Sequence, residues 1–242
     1  MASTATHLVV VFTMLVSAMA VAESNMLQDF CVADLSNGNK SFLYVFFLNI
    51  LTFITFFLLT NEAVKVNGYT CKDSTQVTPE DFYFQGLATA KAAANSSTGA
   101  IVTGATVEKL PGLNTLGLSM SRIDYAPNGL NPPHVHPRAS EVIFVLEGQL
   151  YVGFVTTAGK LVAKYINKGE VFVFPKGLLH FQKNIAGSAP ASVLAAFDSQ
   201  LPGTQSLVAS LFGALPDNIL VESFKIKPKQ VKTIKSRYQP KK

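Results

Sequence analysis

After residue 100, the chain repeats short stretches in which apolar side chains alternate with polar ones, separated by Gly and Pro. Side chains on a β-strand point alternately to its two faces, so this period of two predicts strands with one buried face. Many short strands between turn residues are typical of a sandwich or a jelly-roll barrel, and we predict an all-β fold. The predicted strands are Ile101–Leu110, a strand through Leu116, Leu118 and Met120, Val142–Leu146, Leu150–Thr156, Leu161–Ile166, Val171–Phe174, Phe181–Ile185 and Val193–Phe197.

The apolar period becomes helical after Pro202. Thr204–Leu211 and Asp217–Phe224 carry apolar residues at helical spacing, and Pro228–Tyr238 has a shorter pattern of the same kind. We therefore predict C-terminal α-helices, which pack either on their own barrel or on a neighbouring subunit. Nearer the N-terminus, Thr78 followed by Pro-Glu-Asp predicts the start of a helix or a turn.

The residues with the clearest chemistry lie in NPPHVHPRASEVIFVLEG, residues 131–148. His134 and His136 are two apart, so on a strand their imidazoles point to the same face. Two prolines before them and one after them argue against a helix here. Glu141 follows closely enough to bring a carboxylate to the same point after a bend.

A second stretch, GEVFVFPKGLLHFQKN at residues 169–184, contains an apolar strand, a Pro-Lys-Gly turn and then His180. Three histidines and one glutamate make a mixed nitrogen and oxygen ligand set that suits a divalent transition metal. A single histidine on a strand is more often structural. However, the chain has four histidines, and all except His7 lie in these two stretches.

These stretches resemble the two sequence motifs of the cupins, and their amino-acid sequences are closer still to those of the germin-like proteins of plants. The germin boxes are represented by PPHVHPRASE and VFPKGLLHFQKN. The first cupin motif, G-x5-H-x-H-x(3,4)-E-x6-G, is matched at His134, His136, Glu141 and Gly148, with Asn128 in place of the first glycine. The second, G-x5-P-x-G-x2-H-x3-N, is matched at Gly169, Pro175, Gly177, His180 and Asn184.

The resemblance implies a cupin jelly-roll β-barrel with C-terminal α-helices over residues 75–242. It also implies a homo-oligomer, a trimer of dimers, in which those helices clasp neighbouring subunits. The four implied metal ligands are His134, His136, Glu141 and His180, and the implied metal is Mn2+, with another divalent ion as the alternative. Arg138 and Glu147 are close to these residues in sequence, where they either support the ligands or lie on the surface.

The function implied by the resemblance is that of a secreted, manganese-binding protein of the apoplast, with superoxide dismutase activity and a role in plant defence. Oxalate oxidase is the alternative among enzymes. Ser140 stands where germins usually have Thr, which weighs against oxalate. A non-catalytic metal-binding or storage protein (a nutrient reservoir) is the alternative from another class, although storage would not require all four ligands.

Composition places limits on the partners. The chain is 48% hydrophobic and 14% charged over 242 residues, which fits one globular domain. Its net charge of +5 reflects a basic C-terminal end with no acidic residue after Glu222. Because no nucleic-acid-binding motif accompanies this end, we predict a solvated face or a contact with acidic cell-wall polysaccharide, and no nucleic acid.

The N-terminal residues have the pattern of a secreted protein. An apolar run ends in Ala-Val-Ala at position 22, so residues 1–22 are predicted to be a signal peptide. Residues 23–74 form an N-terminal extension that contains both cysteines. Their contexts, QDFCVADL and VNGYTCKD, match those of the germin cysteine pair, and the resemblance implies a Cys31–Cys71 disulfide. Asn95 begins an Asn-Ser-Ser glycosylation sequon.

An apolar insertion, residues 38–63, separates the two cysteines. Ser41–Thr60 has no charged residue and is long enough to span a bilayer. A span would place the cysteines on opposite sides of the membrane and exclude the disulfide unless the segment turned back. We favour a retained intron, because Gly38-Asn39 and Ala63-Val64 can be encoded with splice-site sequences. Its in-frame removal would give CVADLSNVKVNGYTC, with a cysteine spacing like that of germins.

Overall fold

The computed structural model describes residues 31–35 and 69–238. The chain divides into two units, Met1–Cys31 and Val32–Lys242. Of the first unit, only Cys31 is among the described residues. The strands of the second unit are β1 (Ala100–Ala105), β2 (Ser119–Tyr125), β3 (Leu130–Val135), β4 (Glu141–Glu147), β5 (Gln149–Val155), β6 (Leu161–Asn167), β7 (Val171–Phe174), β8 (His180–Asn184), β9 (Ala191–Phe197) and β10 (Gln205–Ser206).

The strands form two five-stranded sheets in which every pair is antiparallel. The first sheet has the order β1-β2-β9-β4-β7 and the second has the order β10-β3-β8-β5-β6. Most connections carry the chain from one sheet to the other, and β5–β6 is a hairpin within the second sheet. This alternation is the arrangement of a jelly roll, and it confirms the predicted all-β fold.

The core lies between the two sheets and is filled by the inward side chains that the period of two predicts. Ile143, Leu150 and Val193 are fully buried there, each worth about 1.5–3 kcal/mol relative to an exposed position. Two inward positions of β8, those of Gln182 and Asn184, are also fully buried but polar. Buried polar groups require partners, and these residues therefore mark where the interior departs from a simple apolar core.

The helical segments lie near the predicted positions, but they include 3₁₀ turns and a π-helical segment as well as α-helices. The C-terminal helices are α1 (Leu207–Ala209), which continues as a π-helical segment over Ser210–Ala214, α2 (Asp217–Phe224) and α3 (Pro228–Lys235). Leu220 of α2 and Val231 of α3 are fully buried. Four 3₁₀ turns occupy Ser74–Gln76, Pro79–Phe82, Ala93–Asn95 and Pro111–Leu113 among the described residues.

Several predicted elements have different bounds in the structure: the strand predicted through Leu116, Leu118 and Met120 begins only at Ser119, and the helix predicted over Pro228–Tyr238 ends at Lys235. Two further differences have a clear cause. The strand predicted over Ile101–Leu110 ends at Ala105, because the Val107 amide donates to the carbonyl of Gln200 rather than to a neighbouring strand. The helix predicted from Thr204 begins only at Leu207, because the two residues before it pair with the edge of β3 as β10. Both differences arise from partners that are distant in sequence.

The two flanks of the apolar insertion are paired with each other. The Asp34 amide donates to the Thr70 carbonyl at 2.9 Å, and the Lys72 amide donates to the Val32 carbonyl at 2.7 Å. Both cysteines are disulfide-bonded, and because the chain has two cysteines the bond joins Cys31 to Cys71. The signal-peptide prediction (residues 1–22) and the insertion (residues 38–63) lie outside the described residues. Within residues 31–35 and 69–238, no helix has the length and apolarity of a membrane span.

Candidate metal centre

The structure brings all four predicted ligands together at one end of the barrel interior. His134 lies on β3, His136 follows that strand, and Glu141 and His180 begin β4 and β8. Antiparallel pairing sets His134 directly opposite His180, with ring centroids 4.2 Å apart. One nitrogen or carboxylate oxygen from each residue lies within 4.8 Å of the others, and all four residues are buried. Two strands of the second sheet and one of the first therefore supply a single site.

Each imidazole is oriented by a main-chain carbonyl. The Nδ1 atoms of His134, His136 and His180 lie 2.7, 2.5 and 2.8 Å from the carbonyl oxygens of Pro132, Gly203 and Leu178. A carbonyl oxygen can only accept, so each Nδ1 carries the hydrogen and donates it. The lone pair of a neutral ring is then on Nε2, which is the usual arrangement of metal-binding histidines.

The Nε2 atoms converge on the carboxylate. His136 Nε2 and His180 Nε2 each lie 3.1 Å from Oε2 of Glu141. In neutral rings, these nitrogens would direct lone pairs at a carboxylate oxygen, so the arrangement requires a cation at its centre, either protons or a metal ion. A ligand set of three imidazoles and one carboxylate fits a divalent transition metal.

The electrostatics of the site also favour a bound cation. Burial raises the pKa of Glu141, but hydrogen bonds from His136 and His180 outweigh burial and lower this pKa to about 2. Burial, together with the neighbouring His180, lowers the pKa of His134 to about 4. At neutral pH the site therefore has a carboxylate anion and a neutral His134, which are the forms that bind metals.

Comparison with known proteins agrees with this geometry. Residues 85–232 match the Cupin family. The chain is 75% identical over 242 residues to a probable germin-like protein subfamily 2 member 5 from Arabidopsis thaliana, with all of both chains covered. The chain belongs to the germin-like proteins of the cupin family.

Solved structures lead to the same family. An oxalate oxidase superposes on this germin-like chain with a TM-score of 0.74 and 34% identity, covering 90% of this chain and 98% of its own. A recombinant oxalate oxidase in complex with glycolate superposes with a TM-score of 0.73 and 35% identity, covering 88% and 96% of the two chains. The jelly-roll fold and the germin-like assignment therefore agree.

A buried hydrogen-bond network holds the carboxylate in place. Gln182 donates from Nε2 to Oε1 of Glu141 at 3.0 Å, and its own Oε1 accepts from Tyr125 and Asn131, both at 2.8 Å. Burial and the charge of Glu141 raise the pKa of Tyr125 well above its usual value, so its hydroxyl remains a donor. Sequence reasoning missed Gln182 and Tyr125, although the alternation of His180, Gln182 and Asn184 along β8 was a signal for the former.

Other residues singled out from the sequence lie away from the cluster. Asn184 bonds only to main chain, donating to the carbonyls of Ala126 and Ala189 at 2.9 and 2.8 Å, so its role is structural. Glu147 is exposed at the far end of β4. Arg138 is exposed too, but it contacts the segment that carries Gly203. Asn95 is exposed at the end of a 3₁₀ turn.

A cavity of about 240 Å3 lies beside the cluster. His134, His136 and Glu141 form one wall, and the others combine apolar side chains with small polar groups. The volume is below the usual range for drug-sized ligands. The cavity therefore suits a small molecule rather than a drug-sized ligand.

Because His134 and Glu141 have lowered pKa values, the metal-free protein should be destabilised by acid. Between pH 6.5 and about 4, His134 is protonated in the unfolded chain but not in the folded chain. The free energy of unfolding therefore decreases by roughly 3 kcal/mol as the pH is lowered over this range. Below about 4.5, Glu141 adds a further loss as pH falls towards about 2. Urea unfolding of chelator-treated protein across this range measures both effects.

The matched variant for this acid effect is His134→Gln. It should have a flatter dependence of unfolding free energy on pH between neutrality and about 4, because the group that titrates is gone. A parent protein whose unfolding free energy stayed constant over that interval would contradict the prediction.

Proposed function

We propose that this germin-like chain is a secreted, manganese-binding protein that disproportionates superoxide and acts in plant defence. The observation that carries the proposal is the convergence of three imidazoles and one carboxylate beside a small cavity. Nitrogen and oxygen donors with no thiolate suit manganese, which accepts six ligands and would keep two positions open. Bound manganese would supply one-electron redox chemistry.

The residues of the chain would contribute position, charge and exclusion of water. Main-chain carbonyls hold the three rings in one tautomer, and Gln182 holds Glu141 so that its charge offsets that of the ion. The cavity is small and partly apolar, which restricts access to small molecules. A net charge of +5 favours the approach of anions such as superoxide.

Metal analysis of the purified secreted protein, with superoxide and oxalate assays run in parallel, tests the proposal. We expect about one manganese per chain and loss of superoxide consumption after chelation, with recovery when manganese is restored. A protein that holds manganese but consumes neither substrate would favour the non-catalytic metal-binding or storage alternative. A protein without bound metal, which also takes none up, would contradict the proposal.

Oxalate oxidation is the second candidate, and the similarity to oxalate oxidase, including its glycolate complex, favours it. Oxalate is also a small anion that could enter the cavity. Asn131, Ser121 and Thr204 line that cavity and offer amide and hydroxyl groups to a carboxylate. Hydrogen peroxide production from oxalate by the manganese-loaded protein would favour oxalate oxidation as the function.

Location outside the cell is part of the proposal. The predicted signal peptide, the disulfide and the exposed Asn95 of the sequon are consistent with secretion into the apoplast. The basic residues of the C-terminal end, including exposed Lys229 and Lys232, favour contact with acidic wall polysaccharide. Sensitivity to an N-glycosidase, and to Asn95→Gln, tests the glycan. Release from cell walls by salt tests the contact.

Association into a homo-oligomer is also proposed. The outer face of the first sheet has an apolar row in which Val142 opposes Val173 and Phe144 opposes Val171, with side chains 39–55% exposed. A contiguous exposed apolar patch is typical of a protein interface. We propose that this face is covered within a hexamer, a trimer of dimers, and light scattering of the purified protein tests the size.

Removal of residues 38–63 should leave the fold and the metal content unchanged. Main-chain hydrogen bonds join Val32 to Lys72 and Asp34 to Thr70, so the described residues on the two sides of the insertion already lie side by side. We expect a deletion variant to melt at the temperature of the full chain or above it and to be secreted. A transcript without the insertion would support the retained-intron hypothesis. A deletion variant that failed to fold would contradict the prediction.

A further inference from the structure

Residues 198–204, called the connector below, join β9 to β10 and form one wall of the cavity beside the cluster. Leu201, Pro202, Gly203 and Thr204 all line that cavity. The connector does not belong to a strand or a helix. Its position therefore depends on side-chain and main-chain contacts from other parts of the barrel.

His136 depends on the connector in a way that the other two histidines do not. The carbonyls that orient His134 and His180 belong to Pro132 and Leu178, each two residues earlier in the same segment. The carbonyl that orients His136 belongs to Gly203, which is 67 residues away in sequence. A shift of the connector would thus release His136 and leave the other rings in place.

Arg138 holds this part of the connector. Its Nε donates to the carbonyl of Leu201 at 2.8 Å, and its main-chain amide donates to the carbonyl of Pro202 at 3.3 Å. Gly203 has a backbone φ of +67, in the left-handed region, and a Cβ there would come within 2.7 Å of the Arg138 guanidinium. The glycine therefore leaves room for the arginine to lie against the connector.

The first half of the connector is anchored independently of Arg138. Ser119 donates its hydroxyl to the carbonyl of Ser199 at 2.7 Å, and the carbonyl of Gln200 accepts from the Val107 amide at 3.1 Å. Asp198 accepts from the Ser140 amide at 2.7 Å. Loss of the Arg138 side chain should therefore loosen residues 201–204 without unfolding the barrel.

We propose that Arg138 is a positioning residue for the metal centre. Its side chain holds the connector so that the Gly203 carbonyl keeps His136 Nε2 directed towards Glu141 and the other candidate ligands. The inference rests on the proposed metal-binding function. It explains why an exposed arginine next to the ligands has its Nε committed to a main-chain carbonyl.

Manganese titration of the metal-free protein, followed by electron paramagnetic resonance of free and bound Mn2+, tests the proposal. Arg138→Ala should raise the manganese dissociation constant about tenfold, the lower end of the range for residues that support metal ligands. The spectrum of bound Mn2+ should change because one ring is no longer held. Arg237→Ala, the same substitution at another exposed arginine, is the matched control and should leave both readouts at the parental values.

A double-mutant cycle separates positioning from general destabilisation. If Arg138 acts through His136, then Arg138→Ala should have no further effect on the dissociation constant in a His136→Ala background. In a His180→Ala background it should retain its tenfold effect. An equal effect in both backgrounds, or parental affinity and spectrum in Arg138→Ala alone, would overturn the proposal.

These readouts do not depend on catalysis. A parent protein that binds manganese but fails to consume superoxide would overturn the proposed activity and leave the role of Arg138 standing. Conversely, an Arg138→Ala protein with parental affinity would remove the positioning role and leave the proposed activity untouched.

Discussion

His134→Ala is expected to abolish manganese retention and, with it, any redox activity, while the barrel stays folded. The substitution removes one of four converging ligand atoms and the ring that lies opposite His180. Because His134 is neutral at neutral pH, its loss deletes a lone-pair donor without changing the charge of the site. We expect the dissociation constant for Mn2+ to rise by at least about 100-fold, more than for the loss of a residue that only supports a ligand.

The fold should survive because its stability comes mainly from the apolar core between the sheets. Metal content after gel filtration, and the melting temperature of the metal-free protein, measure the two effects separately. Asn184→Ala is the matched control on the same strand as His180. It leaves main-chain partners unsatisfied and should lower the melting temperature, but it should retain manganese. Parental manganese affinity in His134→Ala would mean that these four residues are not the ligands.

Loss of the Cys31–Cys71 disulfide is expected to lower the free energy of unfolding by about 2–5 kcal/mol. The bond closes a loop in the unfolded chain and so reduces the entropy gained on unfolding. In the folded chain, the residues next to Cys31 are buried: Ala33 packs with Val107 and Leu113 in a small apolar cluster. Without the bond, residues 32–35 would be held only by this small cluster and by a few main-chain hydrogen bonds.

Urea unfolding of Cys71→Ser beside the oxidised parent measures the effect. The double variant Cys31→Ser/Cys71→Ser should lose about as much as the single one, because either substitution removes the same bond. Manganese content should be parental in both variants, since neither cysteine belongs to the metal cluster. Equal unfolding free energies for parent and variants would show that the bond contributes nothing to stability.

Strands with one buried face were predictable because their signal is local. Val171–Phe174 has the same bounds in sequence and structure, and Val142–Leu146 lies within β4. The core face of each strand follows from the same period of two. The helix predicted over Asp217–Phe224 also has the observed bounds, because its apolar residues recur at helical spacing within the segment itself.

The candidate metal ligands were also predictable from short sequence motifs. His134 and His136 share a face because they are two apart, and the resemblance to the cupin motifs joins them to Glu141 and His180. What the motifs could not supply is the orientation of each ring. That orientation comes from carbonyls, and for His136 the carbonyl belongs to Gly203.

The class of fold, most strands and the identity of the candidate ligands were therefore predictable from the sequence, because each depends on neighbours a few residues apart. Tertiary structure sets the start of α1, since β10 forms only by pairing with the edge of β3. It also decided the network through Gln182 and the hold of Arg138 on the connector. Hydrogen bonds between residues that are far apart in the chain leave no periodic trace in it, so only the folded barrel brings these partners together.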